Sequence, residues 1–230
     1  MKTQNDSQIL PVGELEEVRN PSRRSFFQVT GGIAAAGMFF AACKKSSSNN
    51  GVNLGSGDTG ILNYAYALEQ LEAAFYTQVI ASPYTGITAD ERALLTDIRD
   101  HEVAHREFFK AALGTSAIQA LTVNFSAIDF NSRTSVLNAA KTFEDLGVSA
   151  YNGAGKLISN PDYLVIAGKI VSVEARHAAY IRDLLADNSF ADSTAVGSNG
   201  LDLSNSPSIV LAAASAYLTT KIDGSNLPTN

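Results

Sequence analysis

The chain has 230 residues, 45% hydrophobic and 17% charged, with a formal net charge of −6 and no tryptophan. That composition suits one domain with a real core plus tails. The acidic balance, with no Lys/Arg block beyond the first 45 residues, argues against a nucleic-acid partner, and the lone Cys43 excludes an internal disulfide or a cysteine-built metal site within one chain.

Residues 1–43 read as an export address. Arg23 and Arg24, followed by Phe26, resemble a twin-arginine signal, and the run VTGGIAAAGMFFAAC is too short and glycine-rich for a membrane span. Phe40-Ala41-Ala42-Cys43 resembles a bacterial lipobox whose cysteine is lipidated and becomes the mature N-terminus. Residues 44–58 then read as a flexible tether, residues 59–222 as the folded part with its C-terminal extension, and 223–230 as a disordered tail.

Four long helices follow in the pattern of apolar residues and breakers. The first is predicted from about Ile61 to Ala81, behind Asp58 and Thr59 as possible caps. The second starts at Thr88-Ala89-Asp90-Glu91, a capping box, and runs to about Leu113 before Gly114. The third runs from near Asn131-Ser132 to about Ile158, and the fourth from Asn160-Pro161, a cap with proline at the first helical position, to about Leu185. Helices of this length joined by short links make an antiparallel four-helix bundle. The 17 residues from Gly114 to Phe130 are long enough for a crossover between helices two and three, and a short C-terminal helix is predicted over roughly Ser206 to Leu218.

The acids and histidines on these helices form a pattern. Helix one carries Glu69, helix two Glu102 and His105, helix three Glu144, and helix four Glu174 and His177. Residues three apart share a helix face, so each Glu-x-x-His pair can hold one ion from one side. One Glu on each of two helices and Glu-x-x-His on each of the other two is the ligand set of dinuclear carboxylate bundles. The acids lie in the apolar stripes of their helices, where a carboxylate is costly unless compensated. EQLEAAFY at 69–76 also overlays EDLGVSAY at 144–151, which implies a pseudo-twofold centre between two helical hairpins. Four ionised glutamates balance two divalent cations; oxygen-rich ligation with two imidazoles suits iron or manganese, with zinc possible.

Other residues keep two readings. Glu72, one turn from Glu69, is a supporting or shifting ligand or else an outward acid; its half-repeat partner is Gly147. Tyr76 and Tyr151 either hydrogen-bond the ligand carboxylates or simply pack the helices. His101 completes a His-Glu-x-x-His string, which suggests a zinc peptidase with Glu102 as base, but no third ligand follows. His101 is otherwise a partner of the ligands, a helix-interface residue or a partly exposed one.

YALEQLEAAFY, DHEVAHREFF, FEDLGVSAYNGA and VEARHAAYIRDLL resemble the ferritin-like domain of bacterial exported proteins, desiccation-related proteins among them, over roughly residues 59–220. The resemblance implies an all-α ferritin-like bundle with a diiron or dimanganese centre at Glu69, Glu102, His105, Glu144, Glu174 and His177, and no catalytic residue beyond those ligands. The expected function is oxidation of Fe(II) or consumption of peroxide or dioxygen in envelope stress defence; the alternative is a non-enzymatic envelope stress protein without catalytic metal. The expected location is the periplasm or cell envelope. The expected partners are the membrane through the N-terminal lipid and the twin-arginine export machinery, with a homodimer open. Neither acids for iron nucleation nor rubredoxin-like cysteines are evident, which argues against iron storage and rubrerythrin-type electron transfer.

Overall fold

The computed structural model describes residues 51–229, so Arg23, Arg24 and Cys43 lie outside the described residues. Helices α1 (Gly57–Ala81), α2 (Ala89–Leu113), α3 (Arg133–Gly155) and α4 (Pro161–Leu185) carry the fold, with a short α5 (Pro207–Ala214). Strand β1 (Val52–Asn53) pairs in parallel with β2 (Ile222–Asp223), bringing the two ends of the domain together. Among the described residues, no helix is long and apolar enough to cross a membrane.

Local chemistry sets the helix ends. Thr88 accepts from the Glu91 backbone while Glu91 returns a bond to the Thr88 N–H, the full capping box. Ser132 and Asn160 cap α3 and α4 through their side chains, and Pro161 opens α4. The start of α1 differs from expectation. Ser56 is its N-cap, and Asp58 instead accepts from the backbone N–H groups of Ser159 and Asn160, at 2.7 and 2.9 Å. A carboxylate near one helix start is thus used to tie down the α3–α4 link.

Helices α1 and α2 pack as one hairpin and α3 and α4 as another, and α1 lies against α3. The crossover stays on α1 because two buried side chains one heptad apart stitch it there. Asn63 donates to the carbonyls of Leu54 and Ser116 and accepts from Ile118 N–H, and Gln70 accepts from Leu121 N–H. Returning along α1, the crossover makes α2 and α3 run the same way. The core around α1 joins Leu68, Leu71, Phe75, Leu95, Ile98, Phe143 and Ile181. Phe75 meets Phe143 edge-on at 4.9 Å between ring centres.

The described parts of two expected tails, residues 51–58 and 223–229, pack on the domain. Leu54, in the predicted tether, is fully buried, and Leu227, in the predicted disordered tail, is 7% exposed in the main core. Each contributes one apolar side chain to a core built by distant helices, which a stretch of Gly, Asn and Ser around it conceals.

The segment before α5 docks on α3 at Gly153. Asn205 N–H donates to the Ser149 carbonyl at 3.0 Å, and a Cβ at position 153 would overlap the Asn205 carbonyl group. Gly153→Ala is expected to destabilise by about 1–3 kcal/mol despite the better helix propensity, because backbone must move. Gly168→Ala, with open space around its Cβ, is expected to stabilise by roughly 0.5–1 kcal/mol. Thermal denaturation of the two variants checks the pair; equal shifts would contradict the close approach.

Candidate metal centre

The four long helices bring the six predicted residues to one place. The side chains of Glu69, Glu102, Glu144 and Glu174 are 0% exposed, with His177 at 5% and His105 at 13%. They fall into two overlapping groups, Glu69, Glu102, His105 and Glu174, and Glu102, Glu144, Glu174 and His177. In each group one donor atom per residue lies within 4.8 Å of the others. Glu102 and Glu174 belong to both.

The half-repeat becomes a geometric exchange. Tyr76 on α1 donates to Glu144 Oε1 on α3 at 2.5 Å, and Tyr151 on α3 donates to Glu69 Oε1 on α1. Each tyrosine therefore fixes the other repeat's glutamate, which the two helices permit by running antiparallel. Of the two readings for these tyrosines, hydrogen bonding to the carboxylates is the one seen. One oxygen of Glu69 and one of Glu144 are thereby occupied, and the other is left facing the cluster.

The donor atoms converge without bonding one another. His105 Nδ1 lies 3.0 Å from Glu174 Oε1 and 3.4 Å from Glu69 Oε2; His177 Nδ1 lies 2.8 Å from Glu102 Oε1 and 3.4 Å from Glu144 Oε2. None of these contacts has hydrogen-bond alignment. Eight buried atoms of these six side chains have no hydrogen-bond partner: Glu69 Oε2, Glu144 Oε2, both oxygens of Glu102 and of Glu174, and Nδ1 of His105 and His177. Buried polar atoms normally find partners. Lone pairs from six side chains aimed at a shared space fit a cation site, and oxygen-rich donors with two imidazoles fit iron, manganese or zinc.

Without metal, burial favours the protonated form of most of the cluster's carboxyls. Burial, and repulsion from the acids around them, push Glu174 and Glu72 well above the usual carboxyl range. Burial also raises Glu69 to about 7, and raises Glu144 against the pull of His177. Burial would lower both histidines, but Glu102, Glu174 and Glu69 push His105 up to about 12, and Glu102 and Glu144 push His177 up to about 10. Glu102, held between the two imidazoles, goes the other way despite its burial, down to about 2.

Apart from Glu102, every one of these groups binds its proton more tightly folded than unfolded. The carboxyls' share of stability is lost as pH rises from the ordinary carboxyl range through the folded values, about 7 for Glu69. The imidazoles' share is full below the ordinary histidine value and is lost as pH rises through about 10 and 12. The melting temperature of metal-free protein is expected to fall from about pH 5 to about pH 9, while the gain from added Mn(II) grows as the ion displaces protons. A metal-free melting temperature that rises over that range would contradict the protonated cluster.

Glu72 points inward. It is 3% exposed, and a Cβ at Gly147 would sit 3.0 Å from its Oε1 and 3.4 Å from Glu174 Oε2. The glycine leaves the room that the Glu72 carboxylate uses, so the outward reading of Glu72 is set aside. Glu72 belongs to neither four-residue group. His101 is exposed, and its Nδ1 meets His177 Nε2 at 2.9 Å; it too lies outside both groups. The peptidase pairing of His101 with His105 therefore has no support. Arg176 is exposed at the surface.

No curated protein matched the chain. A family model described as "Ferritin-like domain" matches residues 57–187, the stretch that holds all four long helices and the whole cluster. By that match, and by the bundle and its buried carboxylate–histidine cluster, the chain belongs to the ferritin-like domain family.

Proposed function

We propose that this is an exported, lipid-anchored envelope protein whose centre binds two divalent ions, iron or manganese. In this reading it oxidises Fe(II) or consumes peroxide or dioxygen in stress defence. The supporting observation is the set of eight unpartnered donor atoms in a sealed interior. Glu69 and His105 would hold one ion and Glu144 and His177 the other, with Glu102 and Glu174 between them. Bound iron or manganese would supply the redox chemistry.

The chain's own residues do the rest. Tyr76 and Tyr151 keep Glu144 and Glu69 facing inward. Tyr76 sits among Phe75 and Phe143, and Tyr151 among Phe109 and Ile170, an apolar shell that keeps bulk water out. His105 is the most exposed of the six side chains, so small reactants are expected to enter beside it. The neighbouring Glu72 carboxylate is placed to adjust as charge in the centre changes. The export reading rests on Arg23, Arg24 and Cys43 in the sequence.

Protein purified from its own export route should carry about two iron or manganese ions per chain, as the two overlapping donor groups require. It should also take up oxygen in the presence of Fe(II), an activity lost in Glu102→Ala. Absence of metal and an unchanged melting temperature on adding Fe(II) would instead favour the non-enzymatic envelope protein. Cys43→Ser should move the protein from the membrane to the soluble fraction.

A further inference from the structure

His101 and His177 meet across the space between α2 and α4. The nitrogens are 2.9 Å apart, the ring centres 5.1 Å apart and the ring planes within 6°. The centre-to-centre distance is the hydrogen bond plus the two ring radii laid end to end. The imidazoles therefore lie edge to edge in nearly one plane, not face to face, which is the geometry of an in-line N–H···N bond.

The cluster decides which ring donates. His177 Nδ1 is among the unpartnered atoms that face Glu102 and Glu144. To offer a lone pair there, a neutral His177 must carry its proton on Nε2. That proton then goes to His101 Nδ1, and His101 keeps its own proton on Nε2, toward the exposed side.

The half-repeat supplies an internal comparison. Glu102 and His105 correspond to Glu174 and His177, which puts Val173 at the place of His101. Valine accepts no hydrogen bond. Among the described residues, no hydrogen bond to the far ring nitrogen of His105 is seen. The two halves match in their donors and tyrosines but differ in what stands behind the imidazole.

Resting on the two-ion reading above, we propose that His101 is a positioning residue that accepts a hydrogen bond from His177 Nε2, fixes the tautomer and plane of that ring, and makes the Glu144–His177 half the more tightly binding of two unequal metal positions. A residue that orients a ligand imidazole in this way typically contributes about 10–100-fold in metal affinity. The first His of the His-Glu-x-x-His string thus serves the centre from outside it.

The test is anaerobic Co(II) titration of the full chain, followed by its visible spectrum, with Zn(II)-loaded protein for ring 1H–15N correlation spectra. Wild type should bind two equivalents with separable affinities, and Zn(II)-loaded His177 should be protonated at Nε2. His101→Ala should weaken the tighter equivalent about 10–100-fold, leave the weaker one near its wild-type value and free the His177 ring. His101→Asn, which restores an acceptor near the Nδ1 position, should recover most of the loss. Wild-type affinities for both equivalents in His101→Ala, or equal losses in the Ala and Asn variants, would overturn the positioning role while the two-ion reading stands. No Co(II) binding by wild type would overturn both.

Discussion

Replacing Glu174 with glutamine is expected to give a folded protein that no longer responds to metal. Glu174 is fully buried, belongs to both donor groups, and has neither oxygen hydrogen-bonded. Burial and the neighbouring Glu102 and Glu69 push its carboxyl well above the usual range, which favours the neutral form in the metal-free protein. The amide matches that neutral form in shape and charge, so the metal-free melting temperature should change little. With metal the two forms part. An ion present at 100 times its Kd stabilises the wild type by about 2.7 kcal/mol per site. For a domain of this size that is a rise of roughly 5–10 °C in melting temperature. Glutamine cannot supply the shared anionic oxygens, and most of that rise should vanish. Glu102→Gln makes the contrast. Glu102 is the ionised acid between two raised imidazoles, so losing its charge should destabilise even the metal-free protein, by about 1–3 kcal/mol. Melting curves of both variants with and without Mn(II) separate the cases. A full Mn(II) response in Glu174→Gln would remove the shared-carboxylate centre, and a large metal-free loss there would mean that Glu174 is ionised and paired with His105.

The sequence carried the helices and the cluster because both are written in short-range spacing. Thr88 to Glu91, Asn160-Pro161 and the two Glu-x-x-His strings are local signals, and the half-repeat placed the glutamates and tyrosines in register before any distance was known. What the sequence hid depends on where separate helices meet. Asp58 reads as a cap for its own helix, but its partner is 101 residues away at Ser159. Leu227 stands alone among polar residues, and its burial follows from the β1–β2 pairing of the chain ends. Glu72 did leave a trace. A glycine opposite an acid, in a repeat that keeps Glu, Leu and Tyr in register, marks space reserved for that acid. His101 left none, because nothing local says which ring nitrogen of a distant histidine it will face. Export and lipidation stay with Arg23, Arg24 and Cys43, outside the described residues.

Replacing Arg182 with alanine is expected to produce the largest loss of stability outside the cluster, and the reason lies in the segment that follows α4. Between Ala186 and Ser206 no residue is buried, so the hydrophobic effect cannot hold this stretch against the bundle. Arg182 can. Its side chain is 1% exposed and grips Asp145 on α3 with two parallel bonds, from Nε to Oδ1 at 2.8 Å and Nη2 to Oδ2 at 2.7 Å. Its Nη1 reaches Asp192 Oδ1 at 3.1 Å and Thr194 Oγ1 at 3.0 Å in the first part of that segment, well before the Asn205 contact with α3. One guanidinium thus joins α4, α3 and the extension. Breaking a buried ion pair from one side costs about 3–5 kcal/mol. The Asp145 and Asp192 side chains are 27% and 40% exposed, so water can take up part of the freed charge and the expected loss is about 2–3 kcal/mol. Lysine has no planar fork to span Asp145 while reaching Asp192, so Arg182→Lys should recover less than half. Limited proteolysis should show the difference in place as well as in size: in Arg182→Ala the first cuts fall within residues 187–200, while α1 to α4 stay whole. A variant that melts within about 0.5 kcal/mol of wild type, the ordinary range for a surface substitution, would mean that the extension is held by something other than this arginine.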